Sequence, residues 1–203
     1  MPIVLVPAAR LERWVLNFNG RHGTTALGVV DGALTGAASD GSSFTARLPF
    51  GERYAGLPDA AGFAAAAVAP EEWGVLLVRK GGFAVARLAG ETTVESKVGQ
   101  RHVQGRTKAG GQSQQRFARR RDNQARQAYE AAADHAARIL AGTSGPIATG
   151  GDHGAVDEVL ADARLRGLRR DGSWLPVPDP KRGILEQAVL DALSVRVDVT
   201  NAP

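Results

Sequence analysis

A mixed α/β fold, an α+β arrangement with helices packed on a mixed sheet behind a small N-terminal α+β extension, is predicted by three observations. Two runs of short strand patterns, near residues 25–48 and 73–98, are punctuated by Gly-containing turns. A long amphipathic helix pattern follows the second run, from Ser113 to about Leu140. Helical and extended patterns then alternate as far as Val199. Strands first and alternation afterwards describe one mixed sheet covered by helices.

The elements follow in order. Pro7 is suited to the first position of a short helix, with Leu11, Trp14, Val15 and Phe18 on one face, and Gly20 and Gly23 end it. Thr25–Val30, Ala33–Ala38 and Ser43–Leu48 read as strands. Asp31-Gly32 and Asp40-Gly41 between them are dipeptides that two-residue hairpin turns prefer. The stretch from Arg53 to Glu72 is rich in Ala, Gly and Pro and reads as a connector with one short helix, placing a domain boundary near Pro70. Residues 1–70 then form an extension and residues 71–203 the main domain.

Trp73–Arg79, Phe83–Leu88 and Thr92–Val98 form a second meander. Gln104–Gln112 has no large apolar anchor and is expected to be a mobile loop. Ser113 is placed to cap the long helix, Phe117, Ala128, Ala132, Ala136, Ile139 and Leu140 share a face, and Gly142 stops it. A strand near Ile147–Thr149, a helix over Ala155–Arg166, an extended piece at Trp174–Val177, a helix over Ile184–Leu193 and a strand at Val195–Val199 complete the chain. This order resembles an RNase H-like layout.

Composition narrows the function classes. The chain has 203 residues, 43% hydrophobic and 23% charged, as in an ordinary globular protein. With no cysteine, disulfides and thiolate metal sites are excluded. No apolar run approaches the ~18 residues that span a bilayer, and the opening "MPIVLVPAAR" lacks the basic and apolar regions of a secretion signal. A cytoplasmic monomer with no membrane association is expected. Net charge is +4, but Lys97 to Arg126 holds nine Lys/Arg against Asp122 alone. That window is +8 and leaves the rest of the chain at −4. A solvated basic helix normally interleaves acids at i+4; their near absence favours a nucleic-acid partner.

Within that window stands "KAGGQSQQRFARRR", Lys108 to Arg121. Gly110-Gly111-Gln112 alone carries little information, since three such common letters also fit a plain loop entering a helix. Its continuation does carry information. Gly110, Gly111, Gln112, Ser113, Arg116, Phe117, Ala118, Arg119 and Arg121 resemble the Gly-Gly-Gln stretch of archaeal and eukaryotic class I peptide release factors. With "VGQRHVQGRTKAGGQS" included, the similarity is greatest to the Vms-like release factors of ribosome quality control, in their actinobacterial branch, over roughly Trp73 to the C-terminus. Ordinary bacterial release factors continue their Gly-Gly-Gln differently. The chain shows no stop-codon-reading domain, ankyrin repeats or paired-Cys zinc motif.

The resemblance implies an RNase H-like catalytic domain that hydrolyses peptidyl-tRNA on a stalled large ribosomal subunit without reading a codon. Its partners would be the large subunit, peptidyl-tRNA and ribosomal RNA, with no cofactor and no metal. Gln112 cannot be a general base, because a neutral amide has no useful pKa. It can position a water while a backbone N–H donates to the developing oxyanion. Gly110 and Gly111 let the backbone approach RNA where a Cβ would clash. Arg106, Lys108, Arg116, Arg119 and Arg120 are candidate RNA contacts. Arg121 shares an edge with Phe117, so it either contacts phosphate or lies along the helix. A non-catalytic RNA-binding module and an endonuclease cutting the tRNA 3′ end remain open alternatives.

The remaining candidates have plainer readings. His102 reads as a surface histidine, and "GGDHG", Gly150 to Gly154, as a turn with Asp or His near a helix cap. Asp157, Glu158 and Asp162 have the spacing of a solvated helix face, and Trp14, Trp73 and Trp174 read as core or interface anchors.

Overall fold

The structure, a computed structural model, describes residues 3–100, 112–172 and 174–202, with residues 112–125 as backbone. The chain divides into two compact units, Met1–Ala69 with Leu190–Pro203, and Pro70–Val189.

In the first unit the predicted meander is present as β2 (Thr25–Val30), β3 (Ala33–Ala38) and β4 (Ser43–Arg47). Asp31 and Gly32 both take positive φ, 52° and 79°, as a two-residue hairpin turn requires. The second loop is longer than its Asp-Gly suggests. Ala38 N–H donates to the Ser42 carbonyl, and Ser42 N–H to the Asp40 carboxylate. Two further strands extend the sheet, giving the order β1-β10-β4-β3-β2, all antiparallel, with β1 at Ile3–Val6 and β10 at Val195–Thr200.

That placement corrects the sequence reading, which left the last strand with the second meander and found no strand before Pro7. The reason is burial. Val195, Val197 and Val199 alternate onto the face that meets Leu11, Val15 and Phe18 of α1 (Leu11–His22), closing a core with Leu34, Phe44 and Phe63. Arg196 and Asp198 take the opposite face, where Asp198 pairs with Arg47 and Arg196. The short helix α2 (Ala60–Ala65) supplies Phe63 and is capped by Asp59, whose carboxylate accepts from Gly62 N–H at 2.6 Å.

The second unit holds β5 (Glu72–Arg79), β6 (Gly82–Ala89) and β7 (Thr92–Gln100), antiparallel, then β8 (Pro146–Gly151) and the two-residue β9 (Arg169–Arg170), each parallel to its neighbour. Strand order is β7-β6-β5-β8-β9. Central β5 reads as a continuous apolar run because it is buried on both faces. A parallel β5–β8 pair needs a crossover, and α3 (Gln112–Ile139) lies within it. Tyr129, Ala132, Ala133, Ala136 and Ile139, with Leu140 just after the helix, bury α3 against Leu76, Val78, Phe83 and Val85, and Ala128 is buried as well. The alanines let the helix sit close to the sheet, and Gly142, at φ 74°, follows its end.

Helix α4 (His153–Leu160) stops short of the predicted Arg166, because a separate turn over Ala163–Leu165 is capped by Asp162. Helix α5 (Arg182–Ala192) leads from the second unit back to the first. Ser113 is not the cap of α3, since the helix begins one residue earlier, at Gln112.

Candidate functional site

The predicted site flanks the start of α3. Strand β7 ends at Gln100 on the edge of its sheet and the chain is next described at Gln112. Gly110, Gly111, Arg106, Lys108 and His102 lie outside the described residues. Gln112 is the first residue of a 28-residue helix, about 42 Å long at 1.5 Å per residue. The opening N–H groups of such a helix have no partner within it and stand at its positive end.

The backbone register sorts the arginines. At 100° per residue, positions 116, 119, 120, 123 and 127 fall on the side of α3 opposite the stripe of Ala128, Ala132, Ala136 and Ile139, and Gln127 is exposed. Position 121 shares the register of Ala128 and Ile139. Arg116, Arg119 and Arg120 therefore share one helix face, and Arg121 does not.

A second group of polar residues gathers where β5 and β8 end side by side. Arg79 lies 3.5 Å from the Asp152 carboxylate and 3.8 Å from that of Asp179, and donates to the Val177 carbonyl at 3.0 Å. The His153 and Trp174 rings stack with centroids 3.6 Å apart. Asp152 occupies the cap position of α4, but its side chain is turned to Arg79 and makes no cap hydrogen bond. The glycines before it are structural. A Cβ at Gly150 would meet the Leu175 carbonyl at 2.3 Å, and Gly151 has φ +102° with the Val78 carbonyl 2.2 Å from the same position. They admit the 174–177 segment to the sheet, through the parallel bridge Gly150–Leu175. Nearby, Tyr129 has its phenol pKa raised, by burial first and then by Glu158 and Asp152.

Two carboxylates here, Asp157 of α4 and Asp162 of the following turn, face arginines. Asp157 accepts from Arg170 at 2.7 Å. Asp162 accepts from the Arg164 side chain and backbone, which lowers its pKa to about 2. Arg164 also reaches Asp134 of α3 at 2.7 Å. Among the described residues no group of three or more acids or histidines is placed to hold a metal ion, and no helix is long and apolar enough to cross a membrane.

Sequence reasoning missed an arginine row that begins at the N-cap of α1 and continues along it. Arg10, Arg13 and Arg21 stand with Asn17 at spacings of three and four, a helical stripe that was legible in the letters. Its apolar counterpart is Leu11, Trp14, Val15 and Phe18, the face that meets the core.

No curated protein matches the chain. The family model described as Actinobacteria/chloroflexi VLRF1 release factor matches residues 71–198. The match begins beside the first residue of β5, takes in the Gly-Gly-Gln-Ser stretch and all of α3, and runs into β10. With more than half its length so matched, the chain belongs to the Actinobacteria/chloroflexi VLRF1 release factor family.

Proposed function

We propose that the protein is a codon-independent peptidyl-tRNA hydrolase, a release factor that frees nascent peptides from stalled large ribosomal subunits in the cytoplasm. Membership of the family implies ribosome rescue by this reaction, and with it contact with the ribosome and peptidyl-tRNA. The observation that carries the reading to particular residues is the position of Gln112, at the first turn of α3 within the matched region. The catalytic part lies within residues 71–203, whose last stretch from Leu190 folds with the 1–70 extension in the first unit. Three antiparallel strands followed by two parallel ones support an RNase H-like reading of the catalytic part.

The chemistry is ester hydrolysis. A water oxygen attacks the carbonyl carbon joining the peptide to the terminal ribose, the bond to the ribose oxygen breaks, and that oxygen takes a proton. Gln112 positions the water through its amide and leaves proton transfer to a ribose hydroxyl or to ribosomal RNA. Gly110 and Gly111 bring the backbone close, and an N–H at the helix start donates to the oxyanion. Arg106, Lys108, Arg116, Arg119 and Arg120 neutralise phosphates behind the tip, and Arg121 either joins them or lies along the helix. The protein acts as a monomer and needs no cofactor.

The test uses large subunits loaded with labelled peptidyl-tRNA. Free peptide with an intact tRNA 3′ end, lost in Gln112→Ala, supports the proposal. Peptide left on a nucleotide fragment would instead mean an endonuclease, and binding without release a non-catalytic RNA-binding module.

A further inference from the structure

Helix α1 does not cover the whole of its sheet. Val4 lies on the same face of β1 as the buried Val6, since their partners on β10 are Val197 and Val195, yet Val4 is 37% exposed. The uncovered space is a trough between α1 and β1, an edge strand of this sheet. Two hollows of about 540 and 320 Å³ adjoin one another, sharing Val4, Trp14 and Asn17 as lining residues. Arg10 and Arg13 line one hollow and Arg21 the other.

The charge of this trough is one-sided. Among the described residues no carboxylate lines either hollow. Glu12 is the acid of α1, two residues from Arg10 and so on the far side of the helix. Asp40, at the trough's end, is held by His22 at 2.9 Å. Asp198 belongs to the other face of the sheet, between Arg47 and Arg196. Arg10, Arg13 and Arg21 have no acidic partner among the described residues. Three unpaired guanidiniums beside an apolar floor call for an anion with flat apolar parts.

We propose that the trough between α1 and β1 seats an unpaired strand of ribosomal RNA, with phosphates on Arg10, Arg13 and Arg21 and a base against Trp14. The inference rests on the reading of the protein as a ribosome-binding release factor, and it gives the first unit a docking role separate from the Gly-Gly-Gln loop. A cationic groove with an aromatic floor is how proteins hold single strands without reading sequence. Arg13, Asn17 and Arg21 stand one turn apart, about 6 Å along the axis, so they follow an extended backbone. Each hollow has the volume of a small-molecule site, enough for a nucleotide and too small for a duplex. The unpaired end of tRNA is the substrate of the loop, which leaves ribosomal RNA as the strand for the trough.

Binding of labelled oligouridylate to the full chain tests the trough apart from catalysis. In an Arg116/Arg119/Arg120→Ala background, adding Arg10/Arg13/Arg21→Ala is expected to weaken binding at least ~10-fold. The log–log salt slope should fall by about 2, as losing three single-strand phosphate contacts requires. The corresponding triple Lys variant should keep the slope, and Arg13→Glu alone should weaken binding with an unchanged melting temperature. Unchanged affinity and slope in the Ala variant, or a preference for polyglutamate over RNA, would overturn the proposal. Because the chain has no cysteine, Asn17→Cys carries a unique iron chelate for directed cleavage on large subunits. Cuts in an unpaired ribosomal RNA strand are expected, and cuts confined to tRNA would overturn it. A protein that fails to release peptide but passes these tests would sink only the catalytic reading.

Discussion

His153 lies nearly flat on Trp174, with 3.6 Å between ring centroids and 15° between planes, just where β8 passes into α4. The stack, with Arg79 bridging to Asp152 and Asp179, fastens the 174–179 segment to the ends of two parallel strands. In many α/β proteins that location holds a ligand. Here its polar groups are engaged with one another.

A structural role for the stack has a measurable size. His153→Ala should cost about 1 kcal/mol of unfolding free energy, the value of an aromatic pair beyond its buried area. Trp174→Ala should cost about 2–3 kcal/mol, below the range for a fully buried ring because Trp174 is half-buried. Denaturant titration of both variants and the double variant measures the coupling. Fully additive losses would mean that the rings do not interact.

The two glycines flanking Asp152 and His153 should respond in opposite ways. Gly151→Ala forces a Cβ toward the Val78 carbonyl at a φ of +102°, and a loss of about 2 kcal/mol or more is expected. Gly154→Ala, inside α4 with nothing within 4 Å of its Cβ position, should gain about 0.5–1 kcal/mol from helix propensity. Thermal melts that ranked the two the other way would contradict the backbone described here.

Asp162 should titrate far below an ordinary aspartate. Its carboxylate accepts from Arg164 through both backbone and side chain, which favours the charged form and holds the pKa at about 2. Because the folded value is depressed, the stabilisation is present above the unfolded value near 4 and is lost as pH falls toward 2. Carboxyl-carbon NMR of the native protein should show this group still ionised at pH 3. A midpoint near 4 would refute the pairing.

The proposed chemistry separates cleanly from binding. Gln112→Ala should slow peptide release by ~10²–10³ while subunit binding stays at the wild-type level. Arg116/Arg119/Arg120→Ala should weaken binding and flatten its salt dependence. Single-turnover release with saturating protein distinguishes the two. Release by Gln112→Ala at the wild-type rate would remove that residue from the mechanism.

The sequence by itself determined the local elements and the identity of the candidate loop. Asp31-Gly32 announces a hairpin because both positions need positive φ, and the 3–4 spacing from Ala128 to Leu140 identifies the buried face of α3. Gly110 to Arg121 names the family through side-chain chemistry that needs no coordinates. Tertiary structure alone decided which strands pair. Val195–Thr200 closes the first sheet, some 150 residues from its neighbour β4, and β8 lies beside β5 although three elements separate them. Backbone hydrogen bonds carry no sequence label, so a strand's partner is set by the core that its apolar face completes. Four-residue β1 and two-residue β9 are too short to show a period and exist only through those partners. The trough has the same origin: the arginines at and along α1 are plain in the letters, but the space beside them appears only once β1 pairs with β10 and leaves Val4 uncovered.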